Sequence, residues 1–338
     1  MKGLIKETIK KVLPESIFYF LKKLKYKRGL SKEYKYDFNR YLKYADSFLS
    51  FSEQTSLGSI IRNYHVVEKG LTMPEPRLGF GKELLLRLIN ECLIYITHYG
   101  DSNEQLKHAV HVIAEYEQFH HNRNFQLDDI VIEKINALRA IVTDFSPSNQ
   151  RKISKETFFS EKNSSFPEFA RSRSSVRNYA LEDLPVERVL DAIELARTTP
   201  SACNRQCWRT YIFEEKELIS KILLEQGGNR GFGHLANKLI VITAEVGVFT
   251  GPRERNEVYI DGGMYAMNLL YCMHYYEIVG CILNCSNDIQ KDLRLRNLCK
   301  IKDSEVFIAM ISCGLPADKF SVAISPRYTL GNTNQIIK

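Results

Sequence analysis

The sequence predicts an α+β fold: a mixed β-sheet flanked by helices, preceded by a mainly helical N-terminal region. Three observations lead there. After residue 165, helical and strand-like apolar patterns alternate with short connections, which places helices on a sheet. Between residues 51 and 145 the apolar residues recur at helical spacing. Between these parts, residues 146–165 are rich in Ser, Lys, Asn and Glu and read as a linker. Residues 1–50 form a basic amphipathic arm, so the expected division is 1–50, 51–145, 146–165 and 166–338.

The arm carries Leu4, Ile5, Ile9, Val12 and Leu13 at helical spacing, then Pro14, then the apolar run Ile17–Leu21 among lysines. In the helical region, Leu84, Leu85, Leu88, Ile89, Cys92 and Leu93 make one wide stripe. Ile130, Ile135, Leu138 and Ile141 suggest another. Past the linker, Val186, Val189, Leu190 and Ile193 mark a helix that Thr199-Pro200 stops, because a residue before proline is pushed out of helical geometry. Thr210–Phe213 and Leu239–Thr243 read as strands, the second apolar enough to be central. Ile260, Met264, Met267 and Tyr271 mark a helix face. Gly262-Gly263 within that helix costs about 1 kcal/mol per glycine and suits a close approach to the backbone. Strands at Val279–Leu283 and Val306–Ile311 bracket a further helix.

Composition narrows the function. No apolar run approaches the ~20 residues of a membrane span, and no cleavage signal follows the N-terminal apolar stretch. The eight cysteines lack the dense spacing of a secreted scaffold, and the pairs Cys203/Cys207 and Cys281/Cys285 are each separated by three residues rather than the two of a zinc knuckle. Free thiols in a reducing cytoplasm, with no metal site, are the expectation. Residues 1–40 carry twelve Lys/Arg against four Asp/Glu, while the whole chain is only +7. The positive charge is therefore local, unlike that of a nucleic-acid binder. A basic, partly apolar segment at residues 1–28 has the make-up of a helix lying on an anionic membrane face, which would make the protein peripheral at the inner membrane surface. It equally suits a helix packed on the rest of the chain.

The residues with most chemical content lie between Arg171 and Trp208. The block RSRSSVRNY sets Arg173, Ser174, Ser175 and Arg177 close together, a supply of guanidinium and hydroxyl donors suited to a phosphate. The block PSACNRQCW supplies Pro200, Ser201, Asn204 and Gln206, a turn with amides able to donate and accept towards a polar heterocycle. Asp261–Leu270 and Ser325-Pro326-Arg327, the latter after the turn Gly314-Leu315-Pro316, complete four pieces in order.

Over residues 165 to 330 this arrangement resembles the FMN-dependent nitroreductase family, with Cys207 standing where that family usually has proline. The resemblance implies the nitroreductase-like fold, a homodimer with FMN at the subunit interface, and ping-pong transfer of reducing equivalents from NAD(P)H through FMN to a small-molecule acceptor. It implies phosphate contacts for Arg173, Ser175 and Arg327, a basic group beside the flavin pyrimidine for Arg177, and a ring-lining turn for Ser201 and Asn204. Asn229 is implied at the pyrimidine edge, and Asn284 and Cys285 where backbone amides approach the reactive flavin nitrogen. No side-chain acid or nucleophile is implied, since the cofactor carries the reactive atom. Two other classes fit the same residues: a flavin-binding accessory subunit that docks a partner enzyme, and a cofactor-free scaffold at the membrane.

Three further clusters admit two readings each. His108, His111 and Glu115 share a helical face that is metal-ligating or simply solvated; solvation is expected. Cys207 is a redox thiol or a packed small residue, and packing is expected. Tyr64–Gly70, followed by Arg77–Gly81, sets His65 and Glu68 three apart on one face. That is either part of a substrate lid or an ordinary helix end and turn.

Overall fold

The computed structural model describes residues 14–45 and 51–337, so the predicted stripe Leu4–Leu13 lies outside the described residues. The first helix, α1 (Glu15–Tyr44), buries none of its residues. It is moored through the fork of Arg255, whose Nε and Nη2 donate to the Asp37 carboxylate at 2.6 and 2.9 Å. Tyr19, Phe20 and Leu21 stay exposed, as do Tyr36, Phe38 and Tyr41 further along.

Four helices follow: α2 (Glu53–Leu71), α3 (Lys82–Tyr99), α4 (Glu104–His121) and α5 (Asp129–Arg139). Ser52 starts α2 with a reciprocal cap through Thr55, which satisfies donors the first turn would leave open. The expected stripe of α3 is buried at Leu85, Leu88, Ile89 and Cys92. In α5 the buried positions are Val131, Ile135 and Leu138, whereas Ile130, and Ile141 just past the helix end, are exposed. These stripes meet with Ile60, Val67 and Ile113 in one core separate from that of the sheet.

The expected linker stretch is not bare. Within it β1 (Arg151–Ser154) pairs antiparallel with β6 (Lys319–Val322), near the far end of the chain. After α6 (Phe166–Ser172) come α7 (Val186–Ala196), β2 (Trp208–Phe213), α8 (Lys216–Gln226), β3 (Lys238–Glu245), α9 (Glu257–Tyr275), β4 (Val279–Asn284), α10 (Ile289–Cys299) and β5 (Glu305–Gly314). The four-stranded sheet runs β2-β3-β5-β4 with every neighbour antiparallel.

Strand alternation divides β3 between two layers, as the period of two requires. Leu239 and Val241 face a layer with Ile222 and Leu223 of α8 and Leu295 of α10. Ile240 and Ile242 face Val189 of α7 and Leu269 and Met273 of α9. In α9 the predicted face is the outer one: Ile260, Met264 and Met267 are exposed, while Tyr265, Ala266 and Leu269 are buried. The helix is apolar on both sides, so apolar spacing alone could not choose the inward face. Gly262 lies against β5, where an added Cβ would meet the Ile308 side chain at 2.6 Å, while Gly263 has open space.

Candidate active site

The Arg-Ser-rich block leaves α6 as extended chain and is pinned to the sheet. Val176 N donates to Gly280 O at 3.1 Å, and Val176 itself is fully buried. Tyr179 then donates from its hydroxyl to Ser312 O at 3.0 Å. Fixing Val176 and Tyr179 in the core leaves Arg173, Ser174, Ser175 and Arg177 around a cavity of about 330 Å³. Arg327 and Ser325, more than a hundred residues later in the chain, line the same cavity, together with Ile282 of β4.

The electrostatics of this cavity are one-sided. Arg177 is buried, and its Nε has no hydrogen-bond partner. Among the described residues no carboxylate pairs with Arg173, Arg177, Arg327 or Lys69. Burial lowers the pKa of the Arg173 guanidinium, and the charge of Arg327 pushes in the same direction. Burial likewise lowers Lys69, with Arg177 adding to it. His274 lies behind the block, its Nε2 in contact with Ser172 Oγ at 2.7 Å, and burial followed by the Arg173 charge pushes its imidazole down to about 4. Grouped cations without counter-charges repel one another, and a bound anion relieves that repulsion. A ligand phosphate therefore fits the guanidinium and hydroxyl donors of Arg173, Ser174, Ser175 and Arg327, and the orphaned Arg177 Nε is left for a further acceptor on the same ligand.

The second predicted block lies elsewhere. Pro200, Ser201, Asn204 and Gln206 do not line this cavity. They form a surface turn closed on itself, in which Gln206 N donates to Ser201 Oγ at 2.9 Å. The turn is held to α9 where Ala202 N donates to the buried Asp261 carboxylate at 3.1 Å. It is strained: Cys203, Asn204 and Gln206 all have positive φ, a conformation that costs non-glycine residues stability and clusters at functional sites. Asn229 uses its amide locally, donating to Leu223 O and, at 3.1 Å, to Gln226 Oε1, so it closes the end of α8. Asn284 O accepts from Gln226 Nε2 at 3.0 Å, and burial raises the Cys285 thiol to about 12. Cys207 is fully buried, its thiol raised by burial to about 11, as expected of a packed residue rather than a redox one.

The wall opposite the arginines comes from the helical region: Ile61, Tyr64 and His65 of α2 line the cavity. Behind them, Glu68 is fully buried and accepts from four directions. His108 Nε2 lies 2.6 Å from Oε1 and His65 Nδ1 lies 3.3 Å from Oε2. Ser325 donates from its backbone N at 3.2 Å and from Oγ at 3.0 Å. Burial opposes the Glu68 charge, but these hydrogen bonds outweigh it and hold the carboxyl at about 2. The expectation of a solvated face for His108, His111 and Glu115 does not hold. His108 is buried on Glu68, His111 meets Asp144 at 3.0 Å, and Glu115 accepts from Gln150 N. The sequence signal for this wall was present in the three-residue spacing of His65 and Glu68; that it faced the arginines was not readable.

Residues 170–315 match the Nitroreductase family. No curated protein matches the chain. Among solved structures, a candidate NADH oxidase from Clostridium acetobutylicum is 22% identical, with 50% of this chain and 99% of that one covered and a TM-score of 0.44. A candidate nitroreductase from Desulfovibrio desulfuricans, solved in complex with FMN, is 20% identical, with 51% and 96% covered and a TM-score of 0.44. NfrA2 of B. megaterium is 16% identical, with 50% and 72% covered and a TM-score of 0.45. The domain built around the Arg-Ser-rich block, residues 170–315, is thus similar to the Nitroreductase family over less than half of the chain.

Proposed function

We propose that this protein binds FMN in the arginine-lined cavity and passes reducing equivalents from NAD(P)H to a small-molecule acceptor in two half-reactions. The observation that carries the reading is the convergence of Arg173, Arg177 and Arg327, without carboxylate partners among the described residues, on one cavity. In this reading Arg173, Ser174, Ser175 and Arg327 hold the phosphate, and Arg177 faces the pyrimidine and stabilises negative charge that builds there on reduction. Bound flavin supplies the hydride chemistry; the side chains supply binding, orientation and charge. Ile282 lines the cavity at the strand that leads to Asn284 and Cys285, the backbone assigned to the reactive edge of the ring.

The turn Pro200–Gln206 lies outside the cavity, and the proposal assigns it to the site of a second copy of the chain. Two features support a homodimer: the exposed apolar row Ile260, Met264 and Met267 on α9, and the moorage of the strained turn on that same helix. The setting proposed is the cytoplasm, where all eight cysteines stay as free thiols.

The visible spectrum of the purified full chain, the flavin released on heating and the mass in solution test this together. The expected result is a yellow dimer releasing FMN and bleached by NADH or NADPH. FAD release would overturn the cofactor. A colourless protein that also fails to bind added FMN would favour the scaffold reading, and a yellow protein inert to both nicotinamides the accessory-subunit reading.

A second expectation concerns the arm. No described helix is long and apolar enough to cross a membrane. Yet Tyr19, Phe20 and Leu21 of α1 are exposed beside Lys22, Lys23 and Lys25, a surface suited to an anionic interface, where each lysine contributes roughly 1 kcal/mol. The full chain is expected to float with liposomes containing anionic lipid, and the chain lacking residues 1–28 is expected not to. Equal flotation of both removes the membrane reading.

A further inference from the structure

Building on the FMN reading above, we propose that the helical region supplies a phosphate ligand to the same site: His65 contacts the phosphate directly, and Glu68 is the positioning residue that sets both His65 and the Arg327 loop. His65 lines the cavity with Arg173 and Arg327, the two arginines assigned to the phosphate, and its side chain is 40% exposed. Its Nδ1 is committed to Glu68 Oε2, and among the described residues its Nε2 has no partner. Glu68 is ionised and fully buried, so it accepts a hydrogen bond from Nδ1–H and fixes the ring. A phosphate oxygen then accepts from Nε2–H, which places the ring between the Glu68 carboxylate and the phosphate.

The second function of Glu68 is to carry Ser325. That residue has a φ of +42°, a strained backbone for a serine, and both its N–H and its hydroxyl donate to Glu68. Gln105 of α4 adds a contact from Nε2 to Pro326 O at 3.4 Å. The strained Ser325-Pro326 pair immediately precedes Arg327, whose Nη1 folds back onto Ser325 O at 2.7 Å. Two helices of the N-terminal region thus hold the loop that presents the far cation, and α2 presents His65 across from it. The groups facing His65 are Glu68, Tyr64, Ser325 and the arginines at positions 173, 177 and 327, with His108 behind Glu68.

The test is equilibrium dialysis of the full-length apo-chain against FMN and, separately, riboflavin, which differs by lacking the phosphate. Wild type is expected to prefer FMN strongly. His65→Ala is expected to weaken FMN by about tenfold, as befits one charge-assisted hydrogen bond, and to leave riboflavin within about twofold. His65→Arg is expected to keep most of the preference. Glu68→Gln is expected to lower the FMN-to-riboflavin ratio as well. Wild type binding FMN while His65→Ala binds it equally well overturns this proposal alone. Equal loss of FMN and riboflavin in His65→Ala overturns it too, because the role is then structural. Failure of wild type to bind either flavin overturns the proposed function and this inference with it.

Discussion

The Arg173→Glu variant is expected to purify without FMN and to retain no measurable affinity for it, a loss of at least two orders of magnitude. The change removes a charge-assisted hydrogen bond worth about 1.5–3 kcal/mol and sets a carboxylate against the phosphate in a half-buried site, where the repulsion is only weakly screened. The fold is expected to survive. Arg173 has no carboxylate partner among the described residues, and a glutamate there would sit beside Arg327, whose charge is among the causes of its lowered pKa. Near-native unfolding of the apo-variant, measured by denaturant titration, separates loss of the ligand from loss of the protein. Arg177→Gln is the contrasting case: it is expected to keep part of its flavin but to lower the midpoint potential. Losing ~1.4 kcal/mol of interaction with the reduced ring shifts a two-electron couple by roughly 30 mV. Equal flavin loss in both variants, with an unchanged potential in residual holoprotein, would mean that the two arginines do not divide the roles as assigned.

Acid sensitivity follows from His274. Burial and the neighbouring Arg173 push this imidazole down to about 4 from an ordinary 6.5. Between those values the unfolded chain takes a proton that the folded one refuses, so stability falls as pH falls through that window and levels below it. The expected loss is about 3 kcal/mol from pH 6.5 to 4. Glu68 acts lower down. Its carboxyl, at about 2 against an ordinary 4.5, contributes stability that is complete above pH 4.5 and is lost as pH falls towards 2. Denaturant unfolding at pH 7, 5.5 and 4.5 reads the first window. His274→Gln, which keeps a partner for Ser172, is expected to flatten the decline there. An unchanged slope in that variant would assign the acid loss to other groups.

Much of the fold was legible because it is local. The apolar runs at Leu239–Val241 and Ala309–Ile311 are buried strand segments since both faces of the sheet are covered there, and the stripe Leu85–Cys92 is a core stripe since only one face of α3 is covered. The Arg-Ser block was legible as a cluster of guanidinium and hydroxyl donors because its residues lie within one short extended segment. Other features misread for identifiable reasons. The stretch 146–165 has a linker's composition because β1 is a two-stranded ribbon whose first two residues are exposed, so polar residues serve it well. In α9 both sides are apolar, and which one faces inward depends on where α7 and the sheet lie.

The sequence by itself determined the main helical stripes and the strands of the four-stranded sheet, though not β1, and where guanidinium and hydroxyl donors cluster, because period and composition act within a few residues of chain. Only the tertiary structure decided what those charges meet. It set Arg327 in one cavity with Arg173 and Arg177, kept the Pro200–Gln206 turn out of it, and brought His65 and Glu68 from the helical region to its far wall. His108, polar and therefore expected in solvent, is buried because Glu68 meets it there. A buried polar group is tolerated only where a partner meets it, and partners distant in sequence are brought together by packing, which no local pattern encodes.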